Sequence, residues 1–480
     1  MSKDQIPPKD RPYLANFRKN SMVQMHKDRR YSLYLRLRSG ELLILSYLFT
    51  VVAGTFLLWL PFSTTSGDLS LVDALFTATS AVCVTGLVVV DTGTSFSVFG
   101  KSILLFLIQL GGLGIMTFSV LMFLSIGRIP ALRDRWAVES MFSANPKVGI
   151  WDLVKAIFIF TFICEAVGVI LLSAGWIRVG FPPGKALWYG LFHSVSAFCN
   201  AGFAFFQNSL ENYRSDWLIS LTVAGLIIFG GIGFSVVYEL GTRLVSSVRY
   251  RLSLHTRLVL WTTLFLLVGG AVLIYFIEAN NALKGIPAGE RVLSTFFQSA
   301  TARTAGFDTI NIDTLSNASL LLLIVLMFIG ASPGSCGGGI RTTSLALLIH
   351  LFLNRIRGNS RVNIGGRTVP ERTIKKMISL IMLGGLVIVA NTMLLLVTQT
   401  EEFLHPLQRG LFVSYLFESV SALGTVGLST GVTGSLNVIG KVLIVVMMLI
   451  GRVGLITLAY GLFREGKETN LEYASEDVML

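Results

Sequence analysis

Four stretches of this sequence, each apolar but too short to cross a bilayer, superimpose on one another. They are ALFTATSAVCVTGL (74–87), GLFHSVSAFCNAGF (190–203), TFFQSATARTAGF (295–307) and LFESVSALGTVGL (416–428). Aligned on Gly86, Gly202, Gly306 and Gly427, they carry Phe76, Phe192, Phe296 and Phe417 ten residues earlier. Ser80, Ser196, Ala300 and Ser421 stand six residues earlier, and Leu87, Phe203, Phe307 and Leu428 one residue later. The glycines lie 116, 104 and 121 residues apart, a near-constant period. A chain built this way repeats one local structure four times.

Longer apolar runs separate the four stretches. A span of about 20 apolar residues crosses the hydrocarbon core, and eight candidates are found: 41–61, 100–126, 153–176, 218–240, 257–277, 319–351, 376–398 and 438–462. With 53% hydrophobic and only 14% charged residues, the chain holds more apolar surface than one aqueous core requires. Soluble proteins are about a quarter charged. Residues 1–40 hold no apolar run, so no signal peptide is expected and the first span is expected to be retained. Cys83, Cys164, Cys199 and Cys336 fall in membrane-associated stretches without a CxxC pair, and read as small buried apolar residues rather than disulfides or zinc ligands.

The spans that follow the glycines also repeat, as IQLGGLGI (108–115), IIFGGIGF (227–234), FIGASPG (328–334) and LIGRVGLI (449–456). The unit is therefore span, short helix, glycine loop, span. Two spans per unit return the chain to the same side, so all four units share one orientation and are related by an axis along the membrane normal. The expected fold is an all-α polytopic membrane protein with four parallel M1–P–M2 repeats. Eight transmembrane helices and four pore half-helices then surround a central pore with pseudo-fourfold symmetry. The repeats are placed at 41–126, 153–240, 257–351 and 376–462, with a cytoplasmic segment 1–40 and tail 463–480.

The net charge of +12 sets topology rather than recruiting nucleic acid. Segments 1–40, 127–152, 241–257, 354–376 and 463–480 hold 27 of the 39 Lys and Arg, and the alternate segments hold nine. The remaining three, Lys155, Arg341 and Arg452, lie in predicted spans. By the positive-inside rule both termini are cytoplasmic and the glycine loops face outward.

A loop that enters the membrane and returns must break its helix at depth, which is tolerated only where protein buries it or it lines a water-filled path. Glycine takes positive φ with little steric cost, so several carbonyls can turn toward one axis. Rings of carbonyl oxygen replace the hydration shell of a cation, and short helices ending near the axis add their negative dipole ends. Val84-Thr85, Asn200-Ala201, Thr304-Ala305 and Thr425-Val426 precede the glycines. Their variety fits a site made of backbone rather than carboxylates. Gly111, Gly112, Gly230 and Gly231 read instead as close helix packing.

Units with TGL, AGF, AGF and VGL loops resemble the Trk/Ktr/HKT superfamily of potassium transporters from residue 41 to 462, most nearly its Ktr-type membrane subunits. The resemblance implies potassium uptake across the cytoplasmic membrane. K+ would be the transported ion, held in a filter made of Cys83, Val84, Thr85, Gly86, Cys199, Asn200, Ala201, Gly202, Arg303, Thr304, Ala305, Gly306, Gly424, Thr425, Val426 and Gly427. Serine at the first filter glycine accompanies sodium permeation in some plant members; here that position is Gly86. The stretch ASPGSCGGGIRTTS (331–344) resembles the family's intramembrane gating loop, with Pro333, Gly334, Ser335, Cys336, Gly337, Gly338 and Gly339 at its centre. Proline and clustered glycine do not continue a helix. The stretch lacks the G-K-[ST] ending of a phosphate-binding loop.

Arg452 stands where Gly112 and Gly231 stand in units one and two, and the resemblance assigns it to the gate as a positive charge beneath the filter. A structural ion pair with Glu165 or Glu418 is the alternative, since a charge at mid-span faces a cavity or a partner. Asp91, Asp308 and Asp313 follow filters one and three and read as solvated loop charges. His193 reads as a packed or hydrogen-bonded side chain rather than a proton relay. The resemblance further implies a homodimer resting on a cytoplasmic, nucleotide-binding RCK-type ring, contacted through 127–152, 241–257, 354–376 and 463–480. The basic segment 1–40 is longer than the family pattern and is either an arm against anionic lipid or the ring, or a solvated tail. No HExxH, G-x-S-x-G or paired membrane carboxylates mark a catalytic site. The rival transport readings are a sodium-permeable pore of the same fold and a sodium- or proton-coupled carrier.

Overall fold

A computed structural model describes residues 39–114, 150–245, 251–359, 361–399 and 405–454. The basic arm 1–38, most of the segment 127–152 and the tail 463–480 lie outside the described residues. The described chain is almost entirely helical. Four long helices, α1 (Ser39–Trp59), α4 (Ile150–Val179), α8 (Leu254–Glu278) and α12 (Glu371–Thr398), each precede a shorter one. The shorter ones are α2 (Leu71–Cys83), α5 (Pro183–Phe198), α9 (Ala288–Thr301) and α13 (His405–Gly424). After each comes a positive-φ glycine and another helix: α3 (Val98–Leu113), α6 (Trp217–Ile232), α10 (Asn317–Ile329) and α14 (Val438–Val453). Two further helices, α7 (Phe234–Val245) and α11 (Thr342–Ile356), continue α6 and α10 beyond a break. A two-stranded hairpin pairs Asn363–Ile364 with Arg367–Thr368 before α12.

Polarity runs opposite to that of a soluble protein. Phe49, Val52, Ile170, Phe265, Phe276, Leu386 and Met393 point outward from the long helices, each at least half exposed. Large apolar faces of this extent need an apolar partner, and lipid provides it. The short helices are buried instead, and their buried faces include Thr77, Thr79, Ser80, Ser194, Ser196, Ser299, Ser419 and Ser421. Among the described residues, three helices are long and apolar enough to cross a bilayer unaided: Val154–Val179, Leu254–Glu278 and Glu371–Thr398. The chain is an integral membrane protein.

Of the spans 100–126 and 438–462 read from the sequence, residues 115–126 and 455–462 lie outside the described residues, and 218–240 is broken at Gly233. Helix α3 ends at Gly114, α6 at Gly233, α10 at Gly330 and α14 at Gly454, and each of these glycines has positive φ, from +61° to +100°. Beyond Gly233 the chain turns by 96° into α7. The sixteen helical residues of α6 reach about 24 Å before that bend, less than the about 30 Å hydrocarbon thickness. Hydropathy does not register the stop, because a glycine between apolar residues leaves the average high.

Packing follows a cyclic order. Each long helix lies against the short helix that follows it, and each second helix also packs against the short helix of the next unit: α3 on α5, α6 on α9, α10 on α13 and α14 on α2. The last of these closes the circle across the whole sequence. There Lys441 Nζ donates to Asp73 Oδ1 at 2.7 Å, and Asp73 lies in the first turn of α2 beneath its Ser70 cap, where a negative charge suits the helix dipole. Gly111, Gly230 and Gly451 permit the close approach within units one, two and four. A methyl group on any of them would overlap the carbonyl oxygen of Val82, Phe198 or Leu423 respectively.

A ring of four glycine loops as the candidate functional site

The loops that leave the four short helices meet in a closed ring. A methyl group placed on Gly86 would lie 2.5 Å from the Ala201 carbonyl oxygen, and one on Gly202 2.9 Å from that of Ala305. One on Gly306 would lie 2.6 Å from the Val426 carbonyl oxygen, and one on Gly427 would overlap that of Thr85. The contacts run from loop one to two to three to four and back to one. No side chain fits between neighbouring loops at this level.

Backbone conformation suits carbonyls that share one side of the loop. In an extended strand successive carbonyls alternate in direction; alternating the sign of φ brings them to the same side. Here φ is positive at Gly86, Gly202, Gly306 and Gly427, and again two residues earlier at Val84, Asn200, Thr304 and Thr425, with values of +50° to +74° at those four. The residue between each pair is absent from the positive-φ set. The amide hydrogens turn outward and are held there: Thr85, Ala201 and Val426 N–H donate to the carbonyls of Ser80, Ser196 and Ser421 at 2.7 to 2.8 Å. The Ser80 and Ser421 hydroxyls accept from the N–H of Gly86 and Gly427 at 3.0 and 3.1 Å. That bond accounts for the serine six residues before the glycine in units one and four. Ser196 instead donates to the Phe203 carbonyl. Ala300 has no hydroxyl, and Ala305 N–H turns to Thr301 O.

The surrounding protein engages the Asn200 and Arg303 side chains. Asn200, with its amide nitrogen facing inward to the protein, lies 3.0 and 3.2 Å from the carbonyls of Ala197 and Ile227. Arg303 is buried and donates to the Thr263 carbonyl on α8 at 3.1 Å, so only its backbone belongs to the loop. Cys83 and Gly424 are the last residues of α2 and α13, and Cys199 caps α5 with its sulfur toward Gln109. Behind the ring Leu87, Phe203, Phe307 and Leu428 are fully buried. Of the four aligned phenylalanines, Phe76, Phe192 and Phe417 are buried, while in the third unit Phe297 takes that place and Phe296 is half-buried.

A cavity of about 520 Å3 opens outside the ring, with all four glycines in its lining. Asp91, Glu211, Asp308 and Asp313 also line it. Asp91 caps the turn Thr92–Ser95, and Asp313 is exposed. Asp308 departs from the solvated charge expected of it: it is half-buried and its Oδ1 has no hydrogen-bond partner. Burial, together with the nearby charge of Glu211, pushes its carboxyl up to about 7.

On the opposite side of the ring, residues 330–341 cross beneath it without helix. Ser332 and Cys336 N–H donate to the carbonyls of Gly231 and Gly230 at 3.2 and 3.1 Å, and Phe234 N–H donates to the Gly334 carbonyl at 2.8 Å. A methyl group on Gly337 or Gly338 would overlap the hydroxyl oxygen of Thr304 or Thr425. Pro333 lies against Gly233, and Ser335 Oγ donates to the Ser332 carbonyl. Gly339 lies beside Gly424. Arg341 Nη1 closes the loop on the Gly337 carbonyl at 2.7 Å. Arg452 reaches in from α14, donating to the carbonyls of Cys336 and Gly111. The ion-pair alternative for Arg452 is therefore not what forms. Glu418 is satisfied elsewhere, by Ser429, Thr430 and Thr433.

Helices with apolar outer faces around a closed ring of four glycine loops define a polytopic membrane protein. The sequence profile of the TrkH family, described as a cation transport protein, matches residues 20–465, and the chain belongs to that family. It is 38% identical to the Ktr system potassium uptake protein B of Vibrio alginolyticus, over 92% of this chain and 95% of that one. It is 35% identical to the potassium/sodium uptake protein NtpJ of Enterococcus hirae, over 93% and 98%. The crystal structure of the potassium transporter TrkH from Vibrio parahaemolyticus shares the fold, with TM-score 0.68 and 20% identity, covering 89% of this chain and 86% of that one. These relatives are transporters, and the chain is not an enzyme.

Proposed function

We propose that this chain is the ion-translocating subunit of a Ktr-type potassium uptake system. Four parallel M1–P–M2 units, at 41–126, 153–240, 257–351 and 376–462, surround one pore, and their loops form its selectivity filter. The reading is carried by one observation: the contacts among Gly86, Gly202, Gly306 and Gly427 close on themselves. Each loop offers main-chain oxygens toward the enclosed line, a surface that suits a dehydrated monovalent cation. Potassium comes from the likeness to the Vibrio alginolyticus protein and from glycine at all four positions.

Residues 331–344 act as the gate, and Arg452 latches it. The loop lies beneath Thr304 and Thr425, at the level where an ion leaving the filter must pass, and Arg452 ties it to α3. In this reading both termini are cytoplasmic. Two chains associate, each with its own pore, on a cytoplasmic RCK-type nucleotide-binding ring, through the basic segments on the side of the gate. A sodium-permeable version of the same pore is the second reading, favoured by the likeness to a relative named for both ions.

The test is growth and rubidium uptake in cells lacking their own potassium uptake systems, with and without a coexpressed RCK subunit. Rescue at low external potassium is expected, with sodium competing weakly. Absence of rescue in both arms, with the chain verified in the membrane, overturns the reading. Sodium competing equally selects the second one.

A further inference from the structure

The four loops are not held alike behind the filter. Nine residues before the glycines, on the short helices, stand Thr77, His193, Phe297 and Glu418. Three residues after the glycines stand Val89, Phe205, Thr309 and Thr430. In unit four, Glu418 Oε1 accepts from the Thr430 N–H at 3.1 Å and from the Ser429 hydroxyl at 2.6 Å, while Oε2 accepts from the Thr433 hydroxyl at 2.7 Å. In unit two, His193 Nε2 accepts from the Phe205 N–H at 3.3 Å. The same helix position thus grips the same loop position through two unrelated side chains.

Partners define the state of the histidine. Nδ1 lies 2.7 Å from the Tyr189 carbonyl, which only accepts, so Nδ1 carries the hydrogen. Nε2 faces an N–H and must present its lone pair. Phe206 stacks on the ring, with centroids 5.4 Å apart, and Trp176 packs against it at 5.6 Å. His193 and Glu418 are both fully buried. The other two units lack the grip: Thr77 donates back to the Asp73 carbonyl of its own helix, and Phe297 has no polar atom.

Loops two and four are not neighbours in the glycine ring; they face each other across it. We propose that His193 and Glu418 are positioning residues that fix the outer lips of two opposed filter loops, making the filter twofold in stiffness although fourfold in outline. What each supplies is an acceptor at a set reach from the helix, and ion discrimination depends on it. This inference rests on the filter reading above. An ion-sized ring discriminates only while its carbonyls hold their spacing, and a released lip lets the backbone follow a smaller or larger ion.

The test uses reach rather than truncation. Gln places an acceptor oxygen about where His193 Nε2 or Glu418 Oε1 lies; Asn or Asp falls one bond short. The full-length chain, in cells lacking potassium uptake, is assayed for rubidium uptake against competing sodium. His193→Asn and Glu418→Asp are each expected to lower the potassium-over-sodium preference about fivefold, the worth of one lost hydrogen bond. His193→Gln and Glu418→Gln are expected to keep it within about twofold, and Thr77→Val to leave it unchanged. Equal preferences in the short and long variants overturn the inference. Gly202→Ser runs alongside: if it alters the preference while the short variants do not, only the inference falls. If none of them alters it, the filter reading falls with it. Should a short variant fail to reach the membrane, its partner at the opposed loop carries the same comparison.

Discussion

Val84, Thr304 and Thr425 are β-branched residues held at positive φ, a conformation such side chains avoid. Positions of this kind cost on the order of 1–3 kcal/mol each and persist where the surroundings impose them; here the amides held by the short helices and the neighbouring loops do so. The adjoining glycines leave still less room. At Gly86, φ is +94° and a side chain would meet the Ala201 carbonyl, so Gly86→Ser both strains the loop and pushes its neighbour. Rubidium uptake measured against sodium is expected to show weakened discrimination, and unchanged discrimination would remove the role given to this glycine. The register of these glycines is legible in the sequence because the geometry tolerates nothing else. The positive φ two residues earlier is not, since Val, Asn and Thr give no such signal.

Asp308 carries a second prediction at this scale. With its carboxyl pushed up to about 7, the group is mostly neutral at pH 6 and mostly ionised at pH 8. Negative charge in the outer cavity therefore grows as pH rises through 7, and raises the local cation concentration. Apparent affinity for potassium is expected to improve about two- to threefold between pH 6 and 8, a change worth about half a kcal/mol. Asp308→Asn is expected to flatten that dependence; a wild-type pH profile in the variant would show that another group is responsible. Sequence alone reads this aspartate as one loop charge among several. Its partial burial beside Glu211 depends on how units two and three fold together.

Among the elements, the loop that interrupts unit three is the plainest in sequence and the bend within the second span of unit two the least plain. Pro333 and the glycines that follow it mark a break that no helix survives. Gly114, Gly233 and Gly454 stop or bend their helices equally firmly, yet each stands within an apolar run. The deciding fact, a reversal of φ, has no hydropathic trace. Arg452 shows the same limit: its place in the repeat is readable, but its carbonyl partners come from units one and three. Deleting Gly337–Gly339 shortens the loop below the ring and is expected to raise potassium flux several-fold, because it removes three residues of the obstacle and the Gly337 carbonyl that Arg341 holds. Flux unaltered in a variant that reaches the membrane would sink the gate assignment. Arg452→Gln, which weakens the latch without shortening the loop, is expected to raise flux less.

For the whole molecule, the proposed central claim is that four chain segments, more than 100 residues apart from one to the next, meet around one line through the bilayer. Cyclic packing of the second helices and the ion pair of Lys441 with Asp73 support it, but the ion itself is the decisive witness. The direct measurement is a cryo-EM map of the purified protein in potassium. Density for an ion is expected on the axis between Gly86, Gly202, Gly306 and Gly427, surrounded by main-chain oxygens and weakened when potassium is replaced by sodium. Loops lying apart from one another, or an axis without ion density at a resolution that shows the carbonyls, would contradict it.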